Sequence, residues 1–167
     1  EKGKENIGSY RYICDALGVV YYQVHNYHKA KDYSGLSKQL HEKNLDLGYS
    51  YIRCLSNCAL AEFGLGHYFI AKLFIDVALK YMRQGCGKDA SNKFIEDFTN
   101  LSSITGKEID VNKTADQSNK IFQSYSFMKL LSNAALIYQY SGCWDDAVLC
   151  IKESIEISKK LGDENLF

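Results

Sequence analysis

Apolar residues recur along this sequence at the spacing of an α-helix. The clearest run contains Ala71, Phe74, Ile75, Ala78 and Leu79, which share one helix face because a turn takes about 3.6 residues. The chain also contains no proline, the residue that breaks helix interiors and punctuates loops. The pattern therefore predicts an all-α protein of long helices joined by short turns.

The pattern is repeated within the chain. Residues 55–60 (LSNCAL) align without gaps with residues 131–136 (LSNAAL), and the match continues at the same offset of 76 residues. The further pairs are Gly66 with Gly142, Tyr68 with Trp144, Ala71 with Ala147 and Ile75 with Ile151. In a third copy, 41 residues upstream, the pairs are Leu17 with Cys58, Gly18 with Ala59, Tyr27 with Tyr68 and Ala30 with Ala71.

Each copy has the order of a helical hairpin. The first helix carries a small residue where a neighbouring helix must approach closely, namely Gly18, Ala59 or Ala135. A tight turn follows, then an aromatic residue, and an alanine three residues later. Glycine serves two of the turns because it accepts positive φ, whereas His25 replaces it in the first. One hairpin alone cannot bury its apolar face, so the copies are expected to stack.

This order resembles the tetratricopeptide repeat, which spans about 34 residues. The resemblance covers residues 11–44, 52–85 and 128–161 within a single domain over 1–167. The 41-residue spacing and the ending at 160–163 (KLGD) are similar to the lengthened repeats of the LGN and rapsyn scaffold proteins. The resemblance implies a right-handed α-solenoid of antiparallel helix pairs, with about three repeats. Ser34, Ser37 and Ser154 depart from the apolar or alanine residues expected at their positions.

A long insertion separates the second and third copies. It occupies residues 86–127, whereas the junction between the first two copies needs only seven residues. Composition predicts loops over 85–92 and 101–114, a short helical segment over 94–98, and a helix from about Ala115 into the third repeat. Insertions of this length are usually either functional or disordered, and both interpretations are open.

Composition narrows the classes of function. Lys plus Arg equal Asp plus Glu at 20 each, so no net field draws the chain to nucleic acid or to a membrane. The cysteines, at 14, 54, 58, 86, 143 and 150, lie mostly in apolar runs and are expected to be free and buried rather than metal ligands. Such cysteines indicate a reducing compartment, and we expect a cytoplasmic protein of eukaryotic type.

The sequence shows neither the pattern of a signal peptide nor an apolar run of membrane length. It starts without Met and stops abruptly, so we expect a fragment of a longer chain.

Nothing in the sequence assembles an active site. The four histidines, at 25, 28, 41 and 67, fall at turns or on helix surfaces expected to be exposed. The glycine-lysine segments at 85–88 and 105–107 lack the preceding strand and the full spacing of a phosphate loop. We therefore expect no enzyme activity, no catalytic residue, no cofactor and no metal site.

The resemblance also implies where a partner binds, because the first helix of each tetratricopeptide hairpin lines the concave groove. The positions carried over as peptide-binding residues are Tyr12, Asp15 and Tyr22 in the first copy, Arg53, Asn57, Leu60 and Phe63 in the second, and Lys129, Asn133, Leu136 and Gln139 in the third. The aromatic residues expected in the core are Tyr21, Tyr68, Tyr138 and Trp144.

Two of these helices share a pair of polar residues. Arg53 with Asn57, and Lys129 with Asn133, place a cation and an amide four residues apart on one helix face. An amide can both donate to and accept from the backbone of an extended peptide, and the cation can neutralise a carboxylate. The alternative is that the cations are solvated and the asparagines bond to local backbone.

These features favour a protein–protein interaction scaffold or adaptor that holds a partner segment, preferentially acidic, in the groove. The alternative is a regulatory sensor, in which a peptide or small ligand closes the array and controls an attached effector domain. The 167-residue chain is also expected to self-associate through an apolar end of the stack.

Overall fold

The computed structural model describes residues 2–44, 48–83 and 111–164, and all the regular structure in these ranges is helical. The six helices there are α1 (Lys2–Gln23), α2 (Tyr27–Lys43), α3 (Tyr49–Gly64), α4 (Tyr68–Arg83), α5 (Val111–Tyr140) and α6 (Trp144–Glu164). The predicted all-α fold class is confirmed for these ranges. The expectations for residues 85–92 and 94–98 lie outside them.

Three tight turns join α1 to α2, α3 to α4 and α5 to α6, and they share one backbone geometry. A left-handed φ occurs at His25 (60°), Gly66 (79°) and Gly142 (76°). In each turn, the residue after the one with left-handed φ donates its backbone N–H to the carbonyl oxygen of the residue five positions before it, with an N···O distance of 2.9 Å. In the first turn, Asn26 donates to Tyr21 in this way. The three left-handed residues are separated by the same 41 and 76 positions as the sequence copies, so the alignment of the turns is correct residue by residue.

The helices pack first within the pairs that these turns join, and then between neighbouring pairs. Within the described residues, α2 packs on α3 and α4 packs on α5. Helix α3 also touches α1 on one side and α5 on the other, so α1, α3 and α5 form one layer of inner helices. The outer helices are α2, α4 and α6.

An apolar core joins α3, α4, α5 and α6. Its largest fully buried side chains are Ile52, Leu55, Ile75, Leu79, Leu131 and Ile137. Each such side chain contributes about 1.5–3 kcal/mol when it leaves water. Ala59, Ala71 and Ala78 are completely buried and let the helices approach closely. Tyr138 belongs to this core, as predicted.

The contact among α1, α2 and α3 is more polar. The prediction of free, buried cysteines is confirmed at Cys14, Cys54 and Cys58, and also at Cys150 in α6. The predicted close approach at Gly18 is confirmed as well, because a Cβ there would lie 2.5 Å from the Ser34 hydroxyl. Small and polar side chains therefore replace large apolar ones in this part of the stack.

His41 was predicted on an exposed surface and is instead completely buried. Its ring packs against that of Tyr51, with 5.6 Å between centroids, because α2 packs on α3. Ser37, one turn before it, is buried on the same face.

Other boundaries and burial predictions also differ from the structure. Helix α1 begins at Lys2, well before the predicted repeat at 11, and α5 begins at Val111, inside the predicted loop 101–114. Residues 111–127 of the predicted insertion therefore belong to a helix. Tyr68 and Trp144, predicted in the core, are exposed because both begin helices at the outer surface.

None of the described helices combines the length and the hydropathy needed to cross a membrane. In the same ranges, no three Asp, Glu, His or Cys side chains converge as potential metal ligands.

Candidate functional site

The inner helices enclose an open groove of about 530 Å³. Its lining residues recur every three or four positions because each helix presents one face to it. They are Gly18, Val19, Tyr22 and Gln23 of α1, Tyr49, Ile52, Arg53, Ser56, Asn57 and Leu60 of α3, Met82 of α4, and Tyr125, Ser126, Lys129, Leu130, Asn133 and Leu136 of α5.

The first cation of the groove is tied to a buried carboxylate. Arg53 Nη2 lies 3.4 Å from Asp15 Oδ2 and donates a hydrogen bond to it, linking α3 to α1. Asp15 is almost completely buried, and its Oδ1 atom has no hydrogen-bond partner among the described residues. Asp15 is therefore the counter-charge of Arg53 and does not line the groove.

The second cation is available to an occupant. Lys129 is exposed at the groove, and none of the described carboxylates forms an ion pair with it. Because the Arg53 charge is shared with Asp15, the Lys129 ammonium is the stronger source of positive potential here.

The two asparagines have different roles. Asn133 Nδ2 donates a hydrogen bond of 3.1 Å to Ser56 Oγ and so ties α5 to α3. Asn57 Nδ2 is buried in the groove wall, and no described group accepts a hydrogen bond from it. A buried N–H without an acceptor costs about 1–3 kcal/mol, which an acceptor on an occupant would recover. The alternative of bonds to local backbone therefore describes neither Nδ2 atom, because that of Asn133 bonds to a side chain of another helix and that of Asn57 has no acceptor among the described residues.

The aromatic and apolar walls complete the site. Tyr22 is half-buried at the α1 wall, and burial, together with nearby Tyr27, raises the pKa of its phenol. It therefore stays neutral and can donate a hydrogen bond near neutral pH. Leu60 and Leu136 add apolar surface about one helical turn after Asn57 and Asn133.

The structure brings most of the predicted groove residues together. Those that line the groove are Tyr22, Arg53, Asn57, Leu60, Lys129, Asn133 and Leu136. Tyr12 and Gln139 are exposed outside it. Phe63 packs edge-on against Tyr140, with ring centroids 5.1 Å apart, so it stabilises the contact between α3 and α5.

The sequence reasoning missed Tyr49 and Tyr125, which line the groove one helical turn before Arg53 and Lys129. The same helical spacing, extended by one turn toward each N-terminus, would have found both. Met82 reaches the groove from the end of α4, and the periodicity of the inner helices does not indicate it.

No model of a known protein family matches the sequence, and no curated protein is significantly similar to it. The groove, lined by hydrogen-bond donors, cations and apolar side chains, is complementary to an occupant that carries carbonyl or carboxylate oxygens beside apolar groups.

Proposed function

We propose that this chain is a non-enzymatic interaction module of the tetratricopeptide type, a right-handed solenoid of about three lengthened repeats. It holds a segment of a partner protein, rich in carboxylates, in the groove of α1, α3 and α5. The setting we propose for this scaffold is the cytoplasm of a eukaryotic cell.

The observation that carries this proposal is the unpartnered Nδ2 of Asn57, buried in the groove wall one turn from Arg53. A peptide carbonyl or carboxylate oxygen is the acceptor that such an amide nitrogen needs. The exposed ammonium of Lys129, on the neighbouring helix α5, supports a preference for an acidic segment.

The dimensions of the groove agree with a short segment of a chain. Its volume of about 530 Å³ falls within the range typical of ligand sites, about 300–1,000 Å³. Leu60 and Leu136 provide apolar contacts beside the polar groups, so alternating carboxylate and apolar side chains would suit it.

The test is fluorescence anisotropy with a labelled glutamate–leucine peptide and with the same peptide in which glutamine replaces glutamate. We expect the acidic peptide to bind more tightly. Lys129→Glu should weaken its binding by about five- to tenfold, because attraction becomes repulsion. Asn57→Ala should weaken binding of both peptides, because it removes a donor to the backbone.

Arg53→Glu would place a second carboxylate beside buried Asp15, so Arg53→Gln is the better variant at that position. Asp15→Asn should raise affinity for the acidic peptide, in contrast to the loss expected for Lys129→Glu, because it releases the Arg53 charge to the groove.

The matched control is Lys159→Glu, which makes the same charge change on an exposed lysine of α6 away from the groove. Binding that is unchanged by Lys129→Glu, or weakened equally by Lys159→Glu, would rule out the groove as the binding site. Circular dichroism confirms that each variant keeps its helicity.

A further inference from the structure

The two contacts between neighbouring helix pairs use the same positions. We call each a joint: an outer helix packed on the next inner helix, α2 on α3 and α4 on α5. In the first, Lys31 Nζ lies 3.0 Å from Glu62 Oε1. In the second, the aligned residue Lys72 lies over the aligned ring of Tyr138, with its Nζ 5.4 Å from the ring centroid.

A second pair of aligned positions shows the same register. The ring of Tyr27 lies directly against Gly64 and leaves no room there for a side chain. In the other joint the aligned residues are Tyr68 and Tyr140, whose ring centroids are 5.5 Å apart. The joints therefore repeat residue for residue, with different chemistry in each pair.

Helix α6 presents the outer half of a third joint. Ile75 and Leu79 of α4 are 0% and 2% exposed in the core that α4 shares with α5. Their aligned residues in α6, Ile151 and Ile155, are 50% and 48% exposed. The α6 stripe, formed by Trp144, Val148, Ile151 and Ile155, is thus apolar at the positions that a joint would bury, and no described helix covers it.

Helix α1 presents the inner half. Cys54 and Ala61 of α3 are buried completely, whereas the aligned Ile13 and Val20 of α1 are about half exposed. The α1 stripe consists of Tyr10, Ile13, Val20 and Val24, whose separations of three, seven and four residues keep them on one helix face.

We propose that these stripes are the two halves of a joint between copies of this chain, with the α6 stripe of one copy packed on the α1 stripe of the next. The register of the internal joints places Val148 on Tyr21, and Trp144 on Gln23, of the next copy, and these two residues flank the α1 stripe on either side of its helix face. The ring of Tyr21 is half-buried and stacks on Tyr33 of its own copy, with centroids 5.4 Å apart, so Val148 would meet the part of it that remains exposed.

This contact joins two different surfaces, and each added copy uses one of its stripes and leaves the other open, so it builds open chains of copies and not a closed dimer. Two stripes of about three helical turns each bury on the order of 1,000 Å² in total, which is the size of weak, reversible interfaces. Association should therefore depend on concentration, with a dissociation constant on the order of 10 µM or weaker.

Sedimentation equilibrium of the 167-residue chain over a series of concentrations tests the proposal. The average mass of the wild type should rise with concentration. Ile155→Glu on the α6 stripe, or Val20→Glu on the α1 stripe, should lower the association constant by about tenfold or more, because either carboxylate would be buried without a partner. An equimolar mixture of the two variants should form dimers and nothing larger, because each variant keeps one intact stripe.

The matched control is Leu149→Glu. Leu149 is exposed on the same helix but lies roughly 120° around its axis from Ile155, since each residue turns the helix by about 100°. This variant should associate as the wild type does. If Val20→Glu does not reach wild-type helicity by circular dichroism, Ile13→Glu replaces it.

Three results would overturn the proposal. A wild type that stays monomeric at all concentrations would show that the stripes do not join copies. This conclusion would hold whether the stripes are exposed or are covered by another part of the same chain. Loss of association in Ile155→Glu but not in Val20→Glu would indicate a symmetric contact between two α6 stripes. An equal loss in Leu149→Glu would indicate nonspecific association.

Discussion

The turn residue His25 adopts a backbone conformation that the aligned residues Gly66 and Gly142 adopt without a side chain. A side chain at positive φ costs about 1–2 kcal/mol, because Cβ crowds the following carbonyl oxygen. His25 Nδ1 lies 2.7 Å from the Tyr27 hydroxyl, and the two rings meet edge-on. These contacts offset part of the strain, which explains how a non-glycine residue serves the first turn.

Gly66→Ala tests the importance of this backbone conformation. A Cβ at Gly66 would meet no atom within 4 Å, so any loss of stability comes from its φ of +79°. We expect the free energy of unfolding to fall by about 1 kcal/mol. Chemical denaturation followed by circular dichroism measures it.

Gly35→Ala is the control, because Gly35 lies within α2, also with no atom within 4 Å of a Cβ, and has no positive φ. It should raise stability by about 0.5–1 kcal/mol, since alanine favours a helix. If Gly66→Ala and Gly35→Ala both lowered, or both raised, the free energy of unfolding, the explanation from positive φ would be contradicted.

Each joint also contains a hydrogen bond from a tyrosine hydroxyl to a carboxylate. Tyr51 donates to Glu42 over 2.8 Å and links α3 to α2, and Tyr138 donates to Asp76 over 2.6 Å and links α5 to α4. Burial first, and then the accepting carboxylate, raises the pKa of both phenols well above 10. The folded helices therefore hold these phenols in the neutral form.

The raised pKa values predict a loss of stability in alkali. An unfolded tyrosine titrates near pH 10, whereas Tyr138 in the folded chain keeps its proton to higher pH. The folded state thus binds more protons above about pH 10, so its stability is complete below that pH and falls as the pH rises further. Thermal unfolding measured from pH 8 to pH 11 should show this decline.

Tyr138→Phe isolates the contribution of one phenol. At pH 8 it should cost about 1 kcal/mol, because Asp76 loses the donor to its Oδ1 and keeps only that of Lys72 to its Oδ2, and the decline above pH 10 should become shallower than in the wild type. Tyr125→Phe, at an exposed tyrosine of α5, should change neither the stability at pH 8 nor the decline above pH 10. An unchanged alkaline decline in Tyr138→Phe would show that other groups cause it.

The stack as a whole is supported unevenly along its length. Among the described helices, α3 touches α1, α2, α4 and α5, whereas α6 packs on α5 and is joined to α4 by the ion pair between Glu153 and Arg83. In a linear array of this kind, stability is roughly a sum of local terms, so the least supported helix opens most often.

Cysteine alkylation can measure this gradient. Cys54 in α3 and Cys150 in α6 are both buried. A hydrogen bond with Cys58, and then burial, raises the pKa of the Cys54 thiol, and burial raises that of Cys150, so neither reacts until its helix opens. We expect Cys150 to react at least about tenfold faster than Cys54 in native buffer. Mass spectrometry of the alkylated peptides gives the two rates, and equal rates would indicate that the array opens as one unit.

Periodicity predicted the helices and the register of the turns because both depend on local chemistry: the spacing of apolar residues, the absence of proline and the residues that accept positive φ. The resemblance to the tetratricopeptide repeat implied that Leu60 and Leu136 lie on the groove, and both do. Helix ends were less well predicted, as at Val111, because propensity near a boundary is a weak guide.

Other features depend on which helices meet. Asp15 and Phe63 share the predicted face of their helices, yet one neutralises Arg53 from a buried position and the other packs on Tyr140. Ile75 and Ile151 are the same residue in the same place of the repeat, and only the presence of α5 beside α4 makes the first buried and the second exposed. Burial and pairing follow from distances between helices far apart in the chain, which a linear pattern does not contain.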